Sequence, residues 1–277
     1  MTTATTTAAR AEVERRRVTQ LRPVRDALAI SARNLIAYRR VPQLLVFSTI
    51  QPVIFVLLFT YVFGGAVQSI PGIPYVDYLM PGIFVQTTVF GAIATAVGLA
   101  TDVKSGLLER FRSLPMARSA VLVGRTLADL CRNVFVVTLM ALVGFAVGFR
   151  VHTSAVQFVA GMLLVLAFGF AMSWIFATVG LWVGDPETAQ AAAFPVMAPL
   201  VFASSAFVPV STMPSWLQPF AEHQPVSVTA TAVRALCLGG DAVGVSTASY
   251  VFRSLAWDVA ILIVFAPIAV WRYRRTV

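Results

Sequence analysis

Six apolar runs of about 20 residues, separated by shorter polar segments, limit what this chain can become. A hydrocarbon layer about 30 Å thick takes roughly 20 helical residues to cross. Only helices and closed barrels satisfy their own backbone groups inside it. The runs lie at about 44–63, 78–101, 122–149, 155–183, 189–207 and 251–271. Charged residues make up 12% of the chain and hydrophobic ones 58%, where a soluble domain carries roughly 25% charged residues. The expected fold is an all-α membrane protein with six transmembrane helices.

Charge then sets orientation. Nine arginines precede residue 41, six Lys and Arg lie between Lys104 and Arg132, and three arginines close the chain. Only Arg150, Arg234 and Arg253 fall in the remaining segments. The positive-inside rule therefore places both termini and the 102–118 loop in the cytoplasm, in a multi-pass protein of the cell membrane. A net charge of +9 distributed this way fits topology and anionic headgroups, not nucleic acid. No cleavable signal is expected, since the first apolar run is long enough to span.

Residues 1–23, rich in Thr, Ala, Arg and Glu, are expected to be a disordered cytoplasmic tail. Residues 24–42 read as an amphipathic helix. Val24, Leu28, Ala32 and Leu35 line one face, and Arg25, Arg33 and Arg40 lie on another. Such a helix either rests in the headgroup plane or docks a partner. Residues 43–277 form the transmembrane domain. Within it, Gln51-Pro52 interrupts the first span, and a buried Gln must face protein or a cavity. Gln86 and Thr87 lie on the outer half of the second span, and Ser205 near the end of the fifth. Asp129 and Arg132, three apart, are expected to neutralise each other. Asp258 in the last span should point inward to a partner, whereas His152 reads as alone at the interface. The interval 208–251 reads as short helices dipping into the outer leaflet before the last span. Trp216 and Phe220 there suit an outer gate at the membrane interface.

The loop carries the one sizeable charged segment between two long apolar runs, KSGLLERFRSLPMARSAVLVGR. Gly106 to Leu114 can form a short helix that Pro115 stops. Glu109 and Arg112 can pair on one face. By pattern alone, two readings stand: arginines that only fix topology, or a docking surface for a soluble partner.

Absences narrow the function. The sequence has no phosphate-binding GxxxxGK[ST] run and a single lysine, Lys104. It has no GxSxG or HExxH run and no Cys/His cluster at metal spacing. No catalytic, cofactor-binding or metal-binding residues are expected. A passive path driven by an outside motor fits this pattern. A proton-driven secondary drug transporter is the alternative, resting on Asp129 and Asp258.

The chain resembles the ABC-2 type transporter permeases of the daunorubicin/doxorubicin-resistance exporter kind, over about residues 25–275. The likeness is carried by the Gly-x-x-Glu-Arg-x-x-x-Leu-Pro run at Gly106–Pro115, by VDYLMPGIFVQ, and by Pro209–Leu236 with Met213-Pro214, Trp216-Leu217, Pro225 and Arg234. The resemblance implies a permease subunit of an ATP-driven exporter, concerned with efflux and antibiotic resistance. Gly106, Glu109, Arg110, Arg112, Leu114 and Pro115 would form the coupling helix that meets an ATP-binding cassette subunit. The helix at 24–42 would be the interface helix beside it. It further implies two copies of this chain with two ATP-binding cassette subunits, which hold the ATP and Mg. The cargo would be a small hydrophobic or amphipathic molecule: a drug, lipid or polyketide. A path past Gln51, Gln86, Thr87 and Ser205 would carry it out.

Overall fold

A computed structural model describes residues 25–36, 43–62, 64, 72–107 and 118–276. The expected tail at 1–23, Arg40, and the loop residues Glu109, Arg110, Arg112, Leu114 and Pro115 lie outside them. Every described element is helical. Helix α1 covers 25–36. Helix α2 (Gln43–Leu57) runs into a π turn, Leu58–Val62, past the internal Pro52. Next come α3 (Tyr75–Lys104), α4 (Arg118–Val147), α5 (Ala155–Val183) and α6 (Pro186–Phe202). After a 3₁₀ turn at Val210–Thr212 follow α7 (Gln218–His223), α8 (Pro225–Leu238), α9 (Gly240–Val243) and α10 (Thr247–Thr276).

Among the described residues, four helices are long and apolar enough to cross a membrane: α3, α4, α5 and α10. At 1.5 Å per residue, the 30 residues of α3 extend about 45 Å, beyond the hydrocarbon layer at both ends. That excess explains the shift from the expected 78–101. Asp77 sits in the first turn and Lys104 in the last, where each opposes the helix dipole. The fifth expected span, 189–207, overlaps the 17 residues of α6, which is not one of those four helices.

Local chemistry sets several boundaries. Ser154 and Gln157 form a reciprocal capping box at the start of α5, and Gly184 closes it in the left-handed region at φ 72°. Asp185 then caps α6 by accepting from the Thr188 amide, with Pro186 in the first turn. These caps make Ala155–Val183 coincide with the expected span.

Helix α3 is the centre of the bundle. Tyr78 to Val89 are all buried, and α5 packs most extensively against it, with α4, α6 and α8 around. Lipid is as apolar as leucine, so close packing rather than the hydrophobic effect drives this association. Small residues permit it. A Cβ on Gly180 of α5 would collide with the Ala96 backbone, and one on Gly82 with the Ala206 backbone. Phe84 and Phe149 meet edge to face at 6.0 Å, and Phe168, Met172 and Phe176 of α5 are fully buried in the same core. Large apolar side chains on the outside, including Leu142, Leu163, Phe252 and Ile263, suit lipid or another apolar surface.

The interval 208–251 folds into short helices, and one of them, α8, is built into the bundle. Thirteen residues of α8 are buried. Its first turn lies well inside the bundle: Trp257, ten residues into α10, donates to the His223 carbonyl, and Gln224 donates to the Leu200 carbonyl.

Candidate functional site

The described root of the charged loop is a chain of ionic contacts that joins three helices. Asp102, in the last turn of α3, lies 3.7 Å from Arg33 of α1 and 3.9 Å from Arg125 of α4. Arg125 in turn lies 3.7 Å from Asp129, which accepts from Thr95 at 2.6 Å. Helix α1 also touches α4 directly. A Cβ on Gly124 would stand 2.5 Å from the Ala27 carbonyl oxygen, so only glycine admits this approach. Arg33 therefore belongs to a shared charge network, while Arg25 is exposed.

Beside this network, Lys104 donates to Asp185 at 2.7 Å. The Lys104 ammonium, helped by the amide and hydroxyl of Thr188, holds the Asp185 carboxyl down at about 2. Gly106 has φ +67° and ends α3, its amide donating to Val103. Leu107 is helical again. Of the six coupling residues read from sequence, Gly106 is the one described, and it sits just past the end of α3.

The expected pairing of Asp129 with Arg132 is replaced. Asp129 turns to Arg125, one turn earlier, and Arg132 donates to the Gly91 carbonyl of α3. Side chains at i and i+3 share a helix face only until a neighbouring helix offers better acceptors. Asp258 does point inward, at 4% exposure. Neither of its oxygens has a hydrogen-bond partner among the described residues, so the expected partner is missing. Sequence shows what burial costs but not what stands opposite.

The four residues assigned to a path lie on α2, on α3 and just beyond α6. Gln51 is half-buried on α2. Gln86 and Thr87 are buried in α3, where Thr87 donates to its own helix at Ile83 and Gln86 Oε1 has no partner among the described residues. Ser205 is a buried junction whose amide donates to Ser227 of α8. No hydrogen bond among the described residues joins these four to one another. Trp216 and Phe220 are exposed, at 77% and 46%.

At the Tyr75 end the sequence reading missed two features. His152 is not alone: its Nε2 lies 2.8 Å from Asp77, whose other oxygen accepts the Arg150 amide at 2.8 Å. Arg234, read as lying in an outer segment, is buried at 1% exposure. Its Nε donates to the Tyr78 carbonyl at 2.7 Å, and Nη2 to the carbonyls of Ser205 and Ala206. Tyr75 and Tyr78 hydroxyls donate to Phe207 and Ser205 carbonyls in the same bend. This is how the backbone beyond α6 stays inside the bundle without unpaired carbonyls. The usable signal was an arginine within the small, apolar run VTATAVRALCL, which cannot remain in a core unless its donors are met.

A model of the ABC-2 type transporter family matches residues 25–238. The daunorubicin resistance ABC transporter permease protein DrrB1 of Streptomyces coeruleorubidus is 35% identical, over 92% of this chain and 89% of that protein. The probable doxorubicin resistance ABC transporter permease protein DrrC of Mycobacterium tuberculosis is 27% identical, over 82% of this chain and 80% of its own length. The doxorubicin resistance permease DrrB from the same organism is 30% identical over 71% of this chain and 64% of its own length.

Proposed function

The chain belongs to the ABC-2 type transporter family as a permease subunit, and from that premise we propose how it works. Two copies pair in the cell membrane with two ATP-binding cassette subunits, which hold ATP and Mg and carry out hydrolysis. The cargo is a hydrophobic or amphipathic drug-like molecule, in keeping with the relatives' names. Each copy crosses the membrane six times with both termini in the cytoplasm, α2 and α6 completing the four longer helices.

The observation that carries this reading is the position of Asp102. It holds Arg33 of α1 and Arg125 of α4 at the point where the 102–118 segment leaves the bundle. A push on that segment is passed at once to α1, α3 and α4. The coupling helix is Gly106–Pro115, with Glu109, Arg110 and Arg112 fixing the register on the ATP-binding subunit. Closure of the ATP-binding subunits moves this segment, and the two permeases shift about their common axis. The cargo passes Gln51, Gln86, Thr87 and Ser205 and leaves by Trp216 and Phe220.

The test is ATP-driven uptake of daunorubicin into inverted membrane vesicles holding the permease and its ATP-binding subunit. Glu109→Arg should insert normally and leave ATP hydrolysis in place. Transport should fall roughly tenfold, as expected for a reversed charge at a docked interface. Transport equal to the parent would remove the coupling assignment. An uncoupler should leave uptake intact, and uptake that collapses with the proton gradient would favour proton drive.

A further inference from the structure

We propose that two adjoining cavities between α7, α8 and α10 form one site for an amphiphile with an acidic head, a phosphate or carboxylate, and an apolar tail. The first cavity, about 330 Å³, is walled by Tyr78, Ser205, Thr231, Arg234, Tyr250 and Arg253. The second, about 460 Å³, is walled by Val228, Ala256, Trp257 and Ala260. Glu222, His223 and Arg253 border both. Each volume falls within the roughly 300–1,000 Å³ of small-molecule sites. A polar chamber with two guanidinium groups thus opens beside an apolar one.

The charges in the polar chamber are incompletely matched. A guanidinium has five N–H donors. Arg234 spends Nε and Nη2 on backbone carbonyls, and Nη1 reaches only the Ser205 hydroxyl, at 3.4 Å. One Nη1 hydrogen is left over on a cation that is 1% exposed. Its remaining neighbour is the Tyr78 ring, 3.9 Å below. Arg253 lies 5.4 Å from the Tyr250 ring. Among the described residues, no carboxylate lies within ion-pair distance of either arginine, whereas Arg33 has one and Arg125 two. Glu222, on the shared wall, offsets one of the two charges and leaves one in excess. An oxyanion supplies the missing counter-charge and accepts the spare donor, and planar guanidinium groups suit phosphate and carboxylate. The tail then lies along Val228, Ala256 and Ala260. Trp257 is held in place there by its bond to the His223 carbonyl.

The experiment uses the full chain in phosphatidylcholine nanodiscs and measures binding of dodecyl phosphate, dodecyl maltoside and inorganic phosphate. Dodecyl phosphate should bind roughly tenfold more tightly than either of the others, the scale of one charge-assisted contact. Arg253→Glu should abolish the preference for the phosphate head while keeping the thermal midpoint, because Arg253 is exposed. Glu222→Gln should strengthen dodecyl phosphate binding several-fold. Equal affinity for the two dodecyl compounds, or a preference that survives in Arg253→Glu, would overturn the proposal. Inorganic phosphate binding as tightly as dodecyl phosphate would overturn the amphiphile. Doping the nanodiscs with phosphatidylglycerol separates the two sources. Competition with dodecyl phosphate marks a bilayer lipid, its absence a molecule that passes through, and both keep the site.

Discussion

The Lys104 ammonium donates to the Asp185 carboxylate across 2.7 Å, joining the last turn of α3 to the residue that caps α6. Asp185 does two jobs, since its second oxygen accepts from the amide and hydroxyl of Thr188. Gly106, with its positive φ, lies two residues beyond Lys104.

This pair sets a pH dependence. The Asp185 carboxyl is held down at about 2, first by Lys104 and then by Thr188, against about 3.9 in an unfolded chain. A lowered folded value stabilises above the unfolded value and is lost as pH falls toward the folded one. The contribution should therefore be constant from neutral pH to about 5 and be lost progressively as pH falls from there through about 2. Asp185→Asn keeps a capping side chain but removes the titration. Thermal midpoints measured between pH 6 and 2 should fall less steeply in this variant than in the parent.

Asp102 is expected to hold α1 against the bundle. Asp102→Asn weakens its attraction to both Arg33 and Arg125. A loss of about 1 kcal/mol, the scale of a partly exposed ion pair, corresponds to roughly fivefold faster opening of residues 25–36. Hydrogen exchange read by mass spectrometry checks this. Unchanged exchange in α1 would mean that the Gly124 contact alone fixes it.

Two glycines of α5 should respond oppositely to alanine. A methyl at Gly180 collides with the Ala96 backbone of α3, while at Gly161 it meets Leu236, Val233 and Cys237 at 3.6–3.9 Å, ordinary contact distances. Gly180→Ala should cost about 1–3 kcal/mol through overpacking. Gly161→Ala should be neutral or gain up to about 1 kcal/mol of helix propensity. Thermal unfolding in detergent distinguishes them.

Asp258 is buried without a hydrogen-bond partner among the described residues. Asp258→Asn keeps the shape and removes an uncompensated carboxylate. The variant should unfold at a higher temperature and retain ATP-driven transport. Loss of transport with unchanged stability would instead give this carboxylate a part in the transport cycle.

The all-helical membrane class rests on local information, and so it was the legible part. The length of an apolar run and the placement of arginines are each read within a few residues. Long-range pairing is different. Asp77 meets His152 across 75 residues, and Arg234 meets the Tyr78 carbonyl across 156. Nothing in either neighbourhood names its partner. Asp129 shows the same limit at short range, because its choice of Arg125 over Arg132 depends on Thr95, 34 residues away.

By itself the sequence determined the membrane class, the family resemblance and the site of the charged loop, because these follow from composition and short-range order. Only the tertiary structure decided that α8 lies in the core, that Arg234 pins the bend beyond α6, and that α1, α3 and α4 share Asp102. The physical reason is that a buried polar group takes whichever partner the packed helices bring within about 3 Å, and that choice is made by the fold.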